Sequence, residues 1–391
     1  MRSIRSGLPA MLLAATFICL SVAPTAFSSD RTAPVIADHT TASLALLAPD
    51  AIDNAKETLH IAYGHTSHGS QLVTGMTGLV GFAGDRYAFR SGGGDGYLDL
   101  RDRPFSGAND LGNPDRTSWA PATRTYLDAN SDINVVIWSW CGQASSASEA
   151  DITTYLNLMN GLETDYPAVI FVYMTGHLDG SGAEGNLNLR NEQIRAFCRD
   201  NNKVLFDFAD IESYDPDGVP YMEKLANDAC DYDSDGNGSR DSNWAIAWQS
   251  AHPGEWYNCS AAHSQPLNAN LKAYASWHLW TALAEELYPT AVDSETKVPI
   301  EFSVSEGYPN PFNGSTAVDV IHFTATPLRL LVYSLSGQLV ATLSGGDRFT
   351  GTRTYLWDGR DDGGRAVSSG TYLFRCVAGE SVIVRKVMYI K

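Results

Sequence analysis

Four short, predominantly apolar runs, each closed by glycine or small polar residues, constrain this chain more than any other feature. They are Leu59–Tyr63, Asn134–Ser139, Ala168–Met174 and Lys203–Phe208. A strand with one face in water alternates apolar with polar residues, whereas a continuous apolar run must be covered on both faces, as in a parallel sheet. Segments with helical spacing separate the runs. Glu149–Leu162 carries Ile152, Tyr155, Leu156 and Met159 on one face, Leu187–Cys198 has the same spacing, and a closing helix is expected over Leu267–Leu287. This rhythm predicts a three-layer α/β domain on a doubly wound parallel sheet, spanning residues 30–290.

Two stretches break the rhythm. Arg90–Pro121, rich in Gly, Asp, Asn and Pro, reads as a long surface loop forming one wall of a cleft. Asp215–Asn258 contains the acidic turn Asp231–Asp241, in which Asp231, Asp233 and Asp235 alternate before Gly236. Asp231, Asp233, Asp235, Asn237 and Asp241 offer hard oxygen ligands around a tight turn, so a structural calcium ion is expected there, and no organic cofactor. The turn resembles the calcium loops of dockerins and thrombospondin repeats, although Ser242 stands where such a loop closes with an acid.

The net charge of −18 argues against nucleic acid as a partner. Residues 1–29 combine Arg2 and Arg5 with an apolar Leu8–Val22 core, the pattern of a bacterial secretory signal peptide, so a secreted or cell-surface location is expected. No later run is long enough to span a bilayer, which predicts no transmembrane segment in the mature chain. Removal of Cys19 with the signal leaves an odd number of cysteines, and export permits disulfides. Cys230 and Cys259 bracket a polar loop and are the pair expected to form one.

After a polar linker at 291–301, residues 302–391 show short alternating strands with turn signals, a small antiparallel sandwich. Tyr308–Asn313, Val332–Gly337, Trp357–Gly359, Ser369–Tyr372 and the basic finish Arg385–Lys391 resemble the immunoglobulin-like C-terminal domain shared by flagellar hook-capping proteins and the sorting tails of type IX secretion cargo. The resemblance implies secretion or cell-surface machinery as the tail's partner, and no catalysis within it.

Chemistry concentrates where the strands end. The first run breaks into Gly64-His65-Thr66-Ser67-His68-Gly69-Ser70, the second into Ser139-Trp140-Cys141-Gly142-Gln143, and the third into Thr175-Gly176-His177-Leu178-Asp179. Ligands of open α/β sheets bind at that edge. His263, just before the closing helix, can reach the same edge as a base. This layout resembles the SGNH hydrolase superfamily and its flavodoxin-like sheet. That resemblance implies Ser67 as nucleophile, Gly142 and Gln143 as oxyanion donors and His263 as base; His65 and His177, from their place at the same strand ends, are further catalytic candidates. His68, Ser70, Trp140 and Asp179 would contact substrate. The superfamily's Gly-Asp-Ser is here Gly64 to Ser67, and its Asp three places before the His is Ser260, so a backbone carbonyl or a carboxylate from elsewhere, such as Asp210, would orient His263. Thr66, Ser67 and Ser70 all remain candidates for the nucleophile.

The expected function is therefore hydrolysis of acyl esters on an extracellular saccharide or a small ester. Two alternatives differ in class. His65, His68, His177 and His263 with Asp179 could converge on a transition metal, giving a polysaccharide hydrolase or lyase. Trp119, Trp138, Trp140, Trp244, Trp248 and Trp256 could instead line a sugar-binding groove without catalysis.

Overall fold

A computed structural model describes residues 31–287, 302–322, 326–335, 337–379 and 381–391; the expected signal peptide and linker lie outside the described residues. Seven strands build one parallel sheet: β1 (Val35–Ala37), β2 (His60–Gly64), β3 (Phe89–Arg90), β4 (Leu98–Asp102), β5 (Val135–Trp138), β6 (Ile170–Met174) and β7 (Val204–Phe206). Their order is β1-β7-β6-β5-β2-β4-β3. From β2 the chain runs outward through the pair β3 and β4, then returns to the other side of β2 with β5, β6 and β7. The winding thus reverses between β2 and β5, and the crevice beyond their carboxyl ends is where such sheets hold ligands.

Successive strand residues feed two separate cores, which is why the runs are apolar throughout. Ile61, Tyr63, Val135 and Ile137 pack beneath α1 (Pro49–Thr58), α2 (Ser70–Ala83) and the long α8 (Pro266–Leu287). Ala62, Val136, Trp138 and Phe171 pack against α3 (Trp119–Ala129), α4 (Glu149–Asp165) and α5 (Asn186–Asp200). A short α6 (Phe208–Glu212) follows β7, and α7 (Trp244–Ala251) precedes α8. Helices α2 and α8 approach closely at Gly75, where an added Cβ would stand 2.1 Å from the Ala269 carbonyl oxygen. Gly75→Ala is therefore expected to lower stability by about 1–3 kcal/mol through overpacking, despite the better helix propensity of alanine. Thermal melts of the two proteins check this.

Several expectations are corrected. Arg90–Pro121 is not one loop, since it contains β4, which pairs with β2 in the sheet. Charge hid this strand. Asp99 is buried, and its carboxylate is satisfied by the Gly92 N–H at 2.7 Å, by His60 at 2.9 Å and by Arg101. Cys230 and Cys259 are free thiols, Cys230 facing Ser264 and Cys259 facing Asn270 and Pro266. Trp119, Trp138, Trp140, Trp244 and Trp248 are buried in the two cores and line no surface groove.

The 231–241 turn spends its acids on its own backbone. Asp233 accepts the N–H groups of Gly236, Asn237 and Gly238, Asp235 accepts that of Asn237, and Asp241 that of Ser234. Asp231 receives the Asn243 amide, and the Asn237 side chain receives the Ser239 N–H.

The C-terminal part is a sandwich of a three-stranded and a four-stranded antiparallel sheet around Val318, Leu330, Trp357 and Phe374. It touches the α/β part through His252, whose Nε2 lies 2.9 Å from the Ser369 carbonyl, and through Asp217, which accepts the Thr371 N–H at 2.8 Å.

Candidate active site

The turn after β2 is folded tightly enough to present several side chains at once. Tyr63 donates its hydroxyl to the Gly69 carbonyl, and a Cβ at Gly69 would lie 2.3 Å from Ser139 Oγ, so this position admits only glycine beside the end of β5. His68 stands at the centre. Its Nδ1 is 3.1 Å from Cys141 Sγ and its Nε2 is 2.9 Å from Asp228 Oδ2. Ser67 Oγ lies 3.4 Å from the same sulfur and 3.0 Å from His263 Nε2. A continuous polar chain results: His263, Ser67, Cys141, His68, Asp228. His177 stacks on one side of His68 at 3.9 Å between centroids, and His263 stacks on it at 4.4 Å. His263 adopts a left-handed backbone with φ of 64°, unusual for a residue with a side chain and common where structure serves a site.

The electrostatics follow from these contacts. The hydrogen bond from His68 is the main reason the Cys141 thiol falls to about 5; burial opposes the shift, and the hydroxyls of Ser67 and Thr66 reinforce it. Burial also works against a charged His68, yet its bonds to Asp228 and Cys141 and the nearby Glu212 charge carry it up to about 9. Burial of Asp228 is likewise outweighed by His68 and His177, which hold its carboxyl below the usual range. At neutral pH the centre is thus a thiolate beside an imidazolium beside a carboxylate.

Not every expected residue joins this group. Ser67, His68, His177 and His263 are brought together. His65 is buried and turned away, its Nε2 held by Asp102 at 2.6 Å and its Nδ1 by the Thr66 carbonyl. Ser70 donates to the Ser67 carbonyl as the first residue of α2, and Thr66 donates to Asp110 at 2.5 Å. Trp140 is a core residue bonded to the Met174 carbonyl, and Asp179 caps its own turn through Ser181. Asp210 binds His39, not His263. Gln143 turns its side-chain oxygen onto the Cys141 N–H at 3.0 Å, so this oxygen accepts where a donor was expected, whereas Gly142 borders open space.

Two central residues were not singled out from sequence. Cys141 had a visible signal as an unpaired cysteine at a strand's carboxyl end. Asp228 had none, because it lies in an irregular segment between α6 and α7.

The residues expected to share a transition metal do not all converge: among the described residues the donor atoms that lie within 4.8 Å of one another here are those of His68, Asp228 and His263. Ring nitrogens sharing one ion must aim their in-plane lone pairs at a point roughly 2 Å from each. The rings of His68 and His177 are within 3° of parallel, and both nitrogens of His68 are already engaged. Asp228 and His263 lie near His68, and the His263 ring is within 15° of parallel to that of His68.

Behind the site lies a fully buried ion pair. Lys272 on α8 reaches Glu212 at 2.6 Å and also bonds Gln71 on α2. Glu212 accepts the Leu178 N–H at 2.8 Å, and the Leu178 carbonyl accepts both the Asp228 N–H and His177. Gln71 in turn donates to the Ala262 carbonyl beside His263. One charged pair therefore fixes the two segments that carry Asp228 and His263.

Comparison with known proteins bears on the tail. Residues 311–381 match the FlgD Ig-like domain family, so the C-terminal part is an immunoglobulin-like domain of that kind. Among solved structures, similarity is found to dimeric latent PorU from Porphyromonas gingivalis, with 23% identity, 23% of this chain and 9% of that chain covered, and a TM-score of 0.20. PorZ, described as an essential bacterial surface component of the type IX secretion system of the same organism, gives 19% identity, coverage of 25% and 13%, and a TM-score of 0.18. FlgD from P. aeruginosa gives 19% identity, coverage of 19% and 59%, and a TM-score of 0.16. The chain spans less than two thirds of the length of each. No curated protein matches it significantly. Among the described residues no helix is long and apolar enough to cross a membrane.

Proposed function

We propose that the α/β part is an exported hydrolase that cleaves acyl esters through an acyl-enzyme, acting on an extracellular saccharide or a small ester. The tail would serve secretion or surface attachment, in keeping with its FlgD-type Ig-like sequence. One observation carries the reading. Two attacking atoms, Ser67 Oγ and Cys141 Sγ, each lie within hydrogen-bond reach of a separate imidazole at the crevice where the sheet reverses. The strand order and the histidine before the last helix also agree with the SGNH-like layout. Covalent catalysis needs a nucleophile and a group to move its proton, and beside Cys141 a Cβ at Gly142 would meet nothing within 4 Å.

The test is a panel of chromogenic acyl esters offered to the full chain, with zinc and calcium measured on the same sample. Hydrolysis that survives chelation of zinc and disappears in the double variant Ser67→Ala, Cys141→Ala is expected. Activity that persists in the double variant, or that tracks stoichiometric zinc, would overturn the reading.

A further inference from the structure

We infer that the nucleophile of this site is the thiolate of Cys141, with His68 moving its protons and Asp228 holding His68, so that turnover passes through a thioester. This rests on the acyl-hydrolase reading above and decides which of its two candidate atoms attacks.

The first support is geometric. Both ring nitrogens of His68 are committed, Nδ1 to the sulfur at 3.1 Å and Nε2 to Asp228 at 2.9 Å, which fixes the ring in the orientation a thiol needs. His263 has no such backing. Among the described residues its one hydrogen bond is to Ser67 Oγ, and no carboxylate bonds its ring.

The second support is contrast among the cysteines. Cys198, Cys230 and Cys376 are buried, and burial raises all three thiols, Cys230 and Cys376 to about 12; Cys259 is raised by burial to about 11. Cys141 alone among them is both partly exposed and drawn down, to about 5. Third, Ser67 Oγ is 3.4 Å from that sulfur. An alkoxide forming on Ser67 would face an existing negative charge, whereas a Ser67 hydroxyl stabilises the thiolate by donating to it. The charges and rings facing His68 are Cys141 and Asp228 at its nitrogens, His177 and His263 on its faces, and Glu212 behind.

The chemistry balances without an added reactant. The thiolate adds to the ester carbonyl, forming a C–S bond, and the intermediate collapses with cleavage of the C–O bond. Imidazolium His68 gives its Nδ1 proton to the departing alkoxide. Water then yields a proton to the neutral ring and attacks the thioester, the C–S bond breaks, and acid and thiolate are released.

Two readouts on the full chain test this. Alkylation by iodoacetamide, mapped to Cys141 by mass spectrometry, should follow thiolate fraction with a midpoint near 5, moving up towards about 8.5 in His68→Ala. Ester turnover should fall at least about a hundredfold in both Cys141→Ala and Cys141→Ser, since a serine hydroxyl at this place is not ionised by His68. A native midpoint above 8 would overturn the inference. So would full turnover in Cys141→Ala together with its loss in Ser67→Ala, an outcome that leaves the acyl-hydrolase reading standing. If the native chain cleaves no ester, that reading fails and the inferred nucleophile with it, while the alkylation midpoint still shows whether the thiolate exists.

Discussion

Replacing His68 with alanine is expected to lower ester turnover by about 10²–10⁴-fold, the usual contribution of a positioned acid and base. The loss should be larger than one missing proton carrier implies. His68 supplies the hydrogen bond that most depresses the Cys141 thiol, so at neutral pH the variant would hold that residue mainly as a thiol. The pH profile gives an independent sign. In the native protein the active ion pair forms as pH rises through about 5, where Cys141 ionises, and is lost as pH rises through about 9, where His68 gives up its proton. His68→Ala should move the acidic limb of kcat/KM upward, whereas a defect confined to folding would scale the whole profile. The same two shifts act on stability. The depressed thiol stabilises the fold above the acidic limb, and the raised imidazole stabilises it below the alkaline one. If Ser67 and His263 formed the machinery alone, His68→Ala would leave the profile's shape intact.

The second large effect is expected at Lys272. Lys272→Met leaves the Glu212 carboxylate buried without its counter-charge, a change that costs about 3–5 kcal/mol in buried pairs. In a domain of this size that corresponds to a drop in Tm of roughly 6–20 °C. The side chain also loses its place 3.8 Å over the Phe208 ring. Adding Glu212→Gln should recover much of the stability, because a neutral amide can still accept the Leu178 N–H that Glu212 holds. A double variant no more stable than Lys272→Met would show that packing at Lys272, and not the unpaired carboxylate, sets the loss. The site should respond as well, since Leu178 fixes the Asp228 backbone and Gln71 fixes Ala262 beside His263.

The sheet was legible wherever physics left one kind of residue. β2, β5, β6 and β7 are covered on both faces, so their runs are apolar at nearly every position and visible without a structure. β4 follows a different rule: Asp99 can be buried because His60, Arg101 and a backbone amide satisfy it, and that compensation lies outside the strand's own sequence. β1 is three residues long and too short to show a period. At the site, the polar turn after β2 and the histidine before α8 could be placed at one edge from their order along the chain, and the structure sets Ser67 and His263 in contact. The pairing of His68 with Cys141 and Asp228 was hidden because it is purely tertiary. His68 comes from β2's turn, Cys141 from β5's, and Asp228 from a segment 160 residues beyond His68. His65, two places from Ser67, is chemically indistinguishable from His68 in sequence, and only the direction of its ring, towards Asp102, separates their roles.

The most direct test of covalent acyl transfer at this site is an acid quench of the full chain during turnover of an acyl ester, followed by peptide mass mapping. The predicted result is one acyl group per chain, carried by the peptide that contains Cys141 and removed by neutral hydroxylamine, as a thioester is. Turnover without any acylated peptide from the β2 or β5 turns, under conditions that trap a control acyl-enzyme, would contradict it.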